Sequence, residues 1–132
     1  MSMAIEPTLG YEGLDVVVDY PASQAALARR RLDEDGALVA SRFEVYLDGI
    51  ELANGFDELT DACEQQERFL QDNAQRRVLG REEVPVDQQL IAALQEGMPS
   101  GCGVALGVDR LIMLALALED IDSVMTFSMQ RC

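Results

Sequence analysis

Apolar and polar positions along this chain change their period several times, and each change predicts an element. Val16, Val17 and Val18 run together ahead of Asp19, Tyr20 and Pro21, which predicts a short buried strand that stops at the proline. A loop or short helix follows, through Arg29-Arg30-Arg31 and the acidic Asp33-Glu34-Asp35-Gly36. Residues 41–56, SRFEVYLDGIELANGF, alternate on both sides of Asp48-Gly49, a pair suited to the positive φ angles of a type I′ turn, and predict a β-hairpin. Over residues 58–79, Leu59, Ala62, Cys63, Phe69 and Leu70 recur at helical spacing, with Gly80 at the place of a left-handed C-terminal cap. Beyond Pro85, Asp87 can cap a second helix that buries Leu90, Ile91 and Leu94 and ends at Gly97. Residues 103–108 read as a strand that meets a helix at Asp109, and residues 123–127 as a last short strand. There is no internal repeat and no linker. The irregular alternation predicts an α+β fold, an antiparallel sheet flanked by helices, in a single domain.

The hairpin register sorts its side chains. Across a two-residue turn Leu47 faces Ile50, Tyr46 faces Glu51, Val45 faces Leu52 and Glu44 faces Ala53. One face is then Phe43, Val45, Leu47, Ile50 and Leu52, which is assigned to the core; the other gathers Arg42, Glu44, Tyr46, Glu51, Ala53 and Gly55. Glu44 and Glu51 become diagonal neighbours with Cα atoms roughly 7–8 Å apart, within reach of one hard divalent cation such as Mg²⁺. The competing reading is a solvated face of an ordinary half-buried hairpin. Ala53 and Gly55 beside them leave room above the sheet for a ligand. Asn54, Phe56 and Glu58 follow where the strand runs out; their structural alternative is a turn and a helix N-terminus, with Glu58 favoured by the helix dipole.

Composition narrows the chemistry. The chain has 132 residues, 48% of them hydrophobic, with 24 acidic and 10 basic residues and a net charge of −14. That is a folding sequence whose field repels a phosphate backbone, which argues against nucleic acid as a partner. All the basic residues are arginine, and histidine is absent, so a Ser-His-Asp triad, imidazole metal ligation and a lysine Schiff base are all excluded. The apolar run 111–118 is far shorter than the roughly 20 residues of a membrane span, and no signal peptide precedes it, so a cytoplasmic protein is expected. The three cysteines, Cys63, Cys102 and Cys132, are too widely spaced for a metal knuckle and odd in number, and are read as reduced, buried or incidental thiols.

Gly101, Gly103 and Gly107 punctuate an apolar stretch that ends in Asp109-Arg110. Glycine in a strand marks a close approach by a ligand or another backbone, here a face bare enough for a flat ring or sugar. Asp109 can cap a helix beginning at Arg110, whose planar guanidinium can then stack on a base or pair with a phosphate, or alternatively form a structural bridge to a carboxylate. A dinucleotide fingerprint is not supported, because the helix starts only after the third glycine.

GVALGVDRLIMLAL (residues 103–116) resembles the third signature motif of class II aminoacyl-tRNA synthetases, and RFEVYLDGIELANGFDELTDA (residues 42–62) resembles the segment specific to the lysyl-tRNA synthetase branch. YPASQAALA, residues 20–28, and Ala105, where lysyl-tRNA synthetases carry glycine, are similar to the related ligases that attach (R)-β-lysine to a lysine of translation elongation factor P. The resemblance implies Glu44, Glu51, Gly107 and Arg110 for ATP, Glu44 and Glu51 for Mg²⁺, and Arg110 as the catalytic cation. It further implies Glu58 for the side-chain ammonium of a lysine-like substrate, Asn54 and Phe56 for the pocket walls, and Gly103 and Ala105 for its floor. The expected partners are ATP, a lysine-like amino acid and elongation factor P; the alternatives are a lysyl-tRNA synthetase charging tRNA and an inactive synthetase-like binding module. Two further motifs of such cores, a helix-strand dimer unit and an arginine-bearing strand pair, are not found before Val16. The chain is therefore expected to carry the C-terminal half of a class II catalytic core, to be inactive alone, and to self-associate through apolar edges.

Overall fold

Aspartate caps and left-handed residues set most element boundaries. The computed structural model describes residues 4–128. In chain order the elements are β1 (Asp15–Pro21), β2 (Arg30–Leu32), β3 (Leu38–Leu47), β4 (Ile50–Asp57), α1 (Ala62–Val78), α2 (Gln88–Glu96), β5 (Cys102–Leu106) and α3 (Val108–Ala115), with 3-10 turns at Glu6–Thr8, Ala22–Gln24 and Ile121–Ser123. The strands make a five-stranded sheet in the order β1-β3-β4-β5, with β2 also on β3; that pair is antiparallel, with Arg30 opposite Ala40 and Leu32 opposite Leu38. This is the α+β arrangement expected from the pattern. Among the described residues no helix is long and apolar enough to cross a membrane.

The turn between β3 and β4 has the predicted form: Asp48 (φ 50) and Gly49 (φ 73) are both left-handed, matching the twist of the two strands. The assignment of its faces needs correction. Glu44, Tyr46, Ala53 and Gly55, placed on the open face, are buried, whereas Phe43, Val45, Leu47 and Ile50 are only half-buried and of that set Leu52 alone is buried. Period-two alternation separates the faces of a strand without stating which is covered. Here the Tyr46 hydroxyl donates to the Glu44 carboxylate, so the acid is satisfied inside the protein.

α1 begins later than the predicted 58–79 span, because Asp61 caps it by accepting from the Glu64 N–H; such a cap is worth about 1 kcal/mol. Leu59 is buried ahead of the helix, and α1 itself buries Gln65 and Arg68, while Cys63 and Leu70 are exposed. Arg68 makes this possible by donating to the carbonyls of Ala26 (2.9 Å) and Ala28 (2.7 Å) and to Glu64. Gly80 takes the left-handed conformation expected of it (φ 66). α2 matches its prediction in bounds and caps: Asp87 accepts from Gln89 and Leu90, and Gly97 follows its end; of the three predicted core residues Ile91 and Leu94 are buried, each contributing about 1.5–3 kcal/mol, while Leu90 is only half-buried.

Three further expectations change. β1 ends at Pro21 as predicted but is not buried, since Val16 and Val18 are 57% and 58% exposed. Gly107, not Asp109, stands at the N-cap of α3, and no side chain caps it; Asp109 and Arg110 lie within the first turn. Residues 123–127 form no strand, and the turn at Ile121–Ser123 is capped by Asp120 accepting from Asp122 N–H. Cys63 and Cys102 are free, exposed thiols, and Cys132 lies outside the described residues.

Contacts gather the chain into two compact units, one of Met1–Val18, Phe43–Gly55 and Val104–Cys132, the other of Asp19–Arg42 and Phe56–Gly103. In the first, Tyr46, Leu52, Ala53 and Met113 are buried, and Gly10 (φ 80) packs so closely that a β-carbon there would lie 2.6 Å from Leu47 Cα. In the second, Tyr20, Ala25, Ala28, Val39, Ala40, Leu59, Ile91 and Leu94 form the core.

Candidate active site

In the first unit the sequence-predicted residues Glu51, Asn54, Gly107 and Arg110 come together. Gly107 N–H donates to the Leu52 carbonyl (2.8 Å), which brings the start of α3 onto β4. Arg110, on the first turn of α3, then donates from Nη1 to the main-chain oxygen of Glu51 (2.7 Å) and stands 3.9 Å from its carboxylate. A β-carbon on Gly107 would meet the Arg110 stem at 3.3 Å, so the glycine gives that stem its path. Asn54 Nδ2 donates to Glu51 Oε1 at 2.8 Å. Glu51 and Arg110 are half-exposed and exposed, open to a ligand, whereas Glu44 is 4% exposed and bonded by Tyr46. Ala105 lies exposed on β5.

In the second unit Glu58, Gly103 and Phe56 are the predicted residues. Glu58 lies outside any helix: it bridges Ala28, and its N–H donates to the Gly101 carbonyl at 3.0 Å, which replaces the expectation of a helix N-terminus. Its half-buried carboxylate makes no hydrogen bond or ion pair among the described residues and lies against Gly103, where a β-carbon would be 2.6 Å from Oε1. Arg29 ties the neighbourhood together, donating from Nη2 to Thr60 (3.3 Å) and Ser100 (3.2 Å), with Nε 3.8 Å from Asp57.

Sequence reasoning missed several side chains around these groups: Tyr46, which donates to Glu44; Arg29, which donates to Thr60 and Ser100; and Arg42, whose guanidinium carbon sits 4.7 Å from the Tyr20 ring centroid and 5.7 Å from that of Phe56. No periodicity marks them; the only signal was that Arg42 and Tyr46 share a strand face with Glu44. A cavity of about 370 Å³ in the second unit, lined in part by Leu27, Arg30, Arg68 and Phe69, contains none of the predicted site residues.

Residues 12–131 match the family model of class II tRNA synthetases, D, K and N. The chain is 52% identical over 130 residues to an elongation factor P (R)-β-lysine ligase of Edwardsiella ictaluri, an alignment that takes in 98% of this chain and 39% of that protein. It thus spans about two fifths of the length of the relative it matches. The match over nearly the whole chain settles the family: the chain belongs to the class II tRNA synthetases, in their D, K and N group.

Proposed function

We propose that this chain is part of an ATP-dependent ligase that activates a lysine-like amino acid, (R)-β-lysine, as an adenylate and transfers it to a lysine of elongation factor P. The observation that carries the reading is Glu58, a half-buried carboxylate with no cation of its own among the described residues, seated on a glycine. Such a group selects a substrate ammonium, because an uncharged analogue leaves it desolvated and unpaired. Phe56 supplies an apolar wall for the substrate stem, and Gly103 the floor against which Glu58 lies. The 52% identity to a protein named as this ligase supports the choice of substrate and acceptor.

Arg110 meets the nucleotide as a planar donor already oriented by its bond to the Glu51 carbonyl. The substrate carboxylate attacks the α-phosphorus of ATP in line and pyrophosphate leaves; positioning and charge neutralisation provide the rate, so no side-chain nucleophile is needed. The acceptor amine then takes the acyl group and AMP departs. Magnesium would be held by the half-exposed carboxylate of Glu51, with phosphate oxygens completing its shell; Glu44, buried and bonded by Tyr46, would join only by exchanging that hydrogen bond. Magnesium, when bound, would offset the polyphosphate charge.

The test is a full-length chimera in which this chain replaces the matching segment of the Edwardsiella ligase, assayed by ATP-pyrophosphate exchange and by transfer. Exchange with (R)-β-lysine and labelling of elongation factor P are expected. Preference for L-lysine with charging of tRNA would replace this reading by a lysyl-tRNA synthetase, and a folded chimera without exchange would leave the binding-module alternative. Ala105→Gly should shift preference toward α-lysine, since it removes the methyl that distinguishes this floor from the lysyl-tRNA synthetase pattern.

A further inference from the structure

We propose that Arg42 is a positioning residue for the amino-acid pocket: its guanidinium, within cation–π distance of both the Tyr20 and Phe56 rings, holds the Phe56 wall and ties it to the 20–28 segment. The inference rests on the reading of Phe56 as a pocket wall given above. Three contacts define it, all within the second unit. The Arg42 guanidinium carbon is 4.7 Å from the Tyr20 ring centroid and 5.7 Å from that of Phe56, both inside the roughly 6 Å reach of a cation over an aromatic face. Nη1 also donates to the Gln24 carbonyl at 3.1 Å, which orients the guanidinium plane.

Tyr20 is 3% exposed, and the segment beyond it is held by Arg68, which donates to the carbonyls of Ala26 and Ala28. Phe56, by contrast, is half-buried near the end of β4, with the Arg42 guanidinium over its ring. Lysine cannot substitute fully, because a compact ammonium lacks the flat delocalised plane that stacks on an aromatic face. The arrangement links the two segments that resemble the β-lysine ligases, 20–28 and 42–62, through one side chain.

The experiment compares Arg42→Met, Arg42→Lys, Tyr20→Leu and Tyr20→Phe in the full-length chimera. Arg42→Met and Tyr20→Leu should raise KM for (R)-β-lysine about tenfold while leaving KM for ATP and kcat within about twofold, as loss of a cation–π contact implies. Tyr20→Phe, which keeps the ring face, should raise KM less than Tyr20→Leu, and Arg42→Lys should fall between Arg42→Met and wild type. Unchanged KM for the amino acid in Arg42→Met, or an equal rise in KM for ATP, overturns the inference. In the wild-type protein the Arg42 side-chain protons should be shifted upfield in NMR spectra by the two ring currents and lose part of that shift in Tyr20→Leu; an unshifted Arg42 overturns the stack whatever the activity. A protein that shows the shift but activates no lysine-like substrate overturns the functional reading, and the role of Arg42 with it.

Discussion

The Glu58 carboxylate rests on the bare α-carbon of Gly103, so near that a β-carbon there would stand 2.6 Å from Oε1. The atom in the way is the far end of a side chain that can swing, so Gly103→Ala should fold and displace the acid. Because a misplacement of about 1 Å at a reacting centre can cost on the order of a hundredfold, kcat/KM for the lysine-like substrate should fall by that order in the full-length chimera, with little change in melting temperature. Glu58→Gln should do the same without moving any backbone. Full activity in Gly103→Ala would show that this contact does not set the position of the acid.

Arg110 gives a second prediction, at the nucleotide. Its Nη1 bond to the Glu51 carbonyl is 2.7 Å long, and the neighbouring carboxylate, 3.9 Å away, is too distant for a tight ion pair, so the guanidinium keeps donors for phosphate. Arg110→Ala should lower kcat on the order of a hundredfold or more, as loss of a preorganised donor to developing charge does. Arg110→Lys should remain impaired, because a point charge reproduces neither the plane nor the fork. ATP-pyrophosphate exchange measures both, and a fully active Arg110→Lys would make charge alone the requirement.

Much of the fold was legible in the sequence, and the misses share one cause. Asp48-Gly49, Asp87, Gly80 and Gly97 announce their structures because the backbone angles or cap bonds they supply are local. Motif resemblance singled out Glu51, Glu58 and Arg110, and the structure shows contacts that no spacing encodes: Tyr46 with Glu44, Gly103 against Glu58, and Tyr20 and Phe56 near Arg42. Burial was the least legible property. Alternation in β3 cannot tell a face covered by chain from one covered by solvent, and α1 hides Arg68 because distant carbonyls at Ala26 and Ala28 satisfy it. Asp109 looked like a cap, yet the helix starts at Val108, two residues too early for it.

Acid sensitivity should show at the end of α1. Glu83 receives Nε and Nη2 of Arg77 at 2.9 and 3.0 Å, and that two-point hydrogen bond holds its carboxyl below the ordinary glutamate value while raising Arg77. A depressed folded-state value means stability that is present above the unfolded glutamate pKa and is lost as pH falls through the lowered one. Wild type should therefore exceed Glu83→Gln slightly in urea midpoint at neutral pH, and the two should converge in acid. The pair is fully exposed, so added salt should shrink the difference. A gap that persists in acid would exclude this pair as its source.

Association is the last expectation, and it follows from which strands end the sheet. β1 and β5 close the order β1-β3-β4-β5, and each turns large apolar side chains outward: Val16 and Val18 on one, Val104 (66% exposed) and Leu106 (51%) on the other. α3 adds Val108, Leu111 and Ile112, and Leu116 follows just beyond its end, all exposed and all in the same unit as those strand positions. Strand edges with unpaired amides and apolar flanks are templates for pairing with another chain, and a net charge of −14 opposes close approach only until salt screens it. The 132-residue chain alone should sediment as a concentration-dependent mixture whose larger species grow with added salt. Val104→Lys with Leu106→Lys should reduce them, because a lysine on an edge disfavours a second strand without touching the buried Leu52 or Met113. A single monomeric species at high salt and high concentration would mean that these side chains are covered by the protein itself.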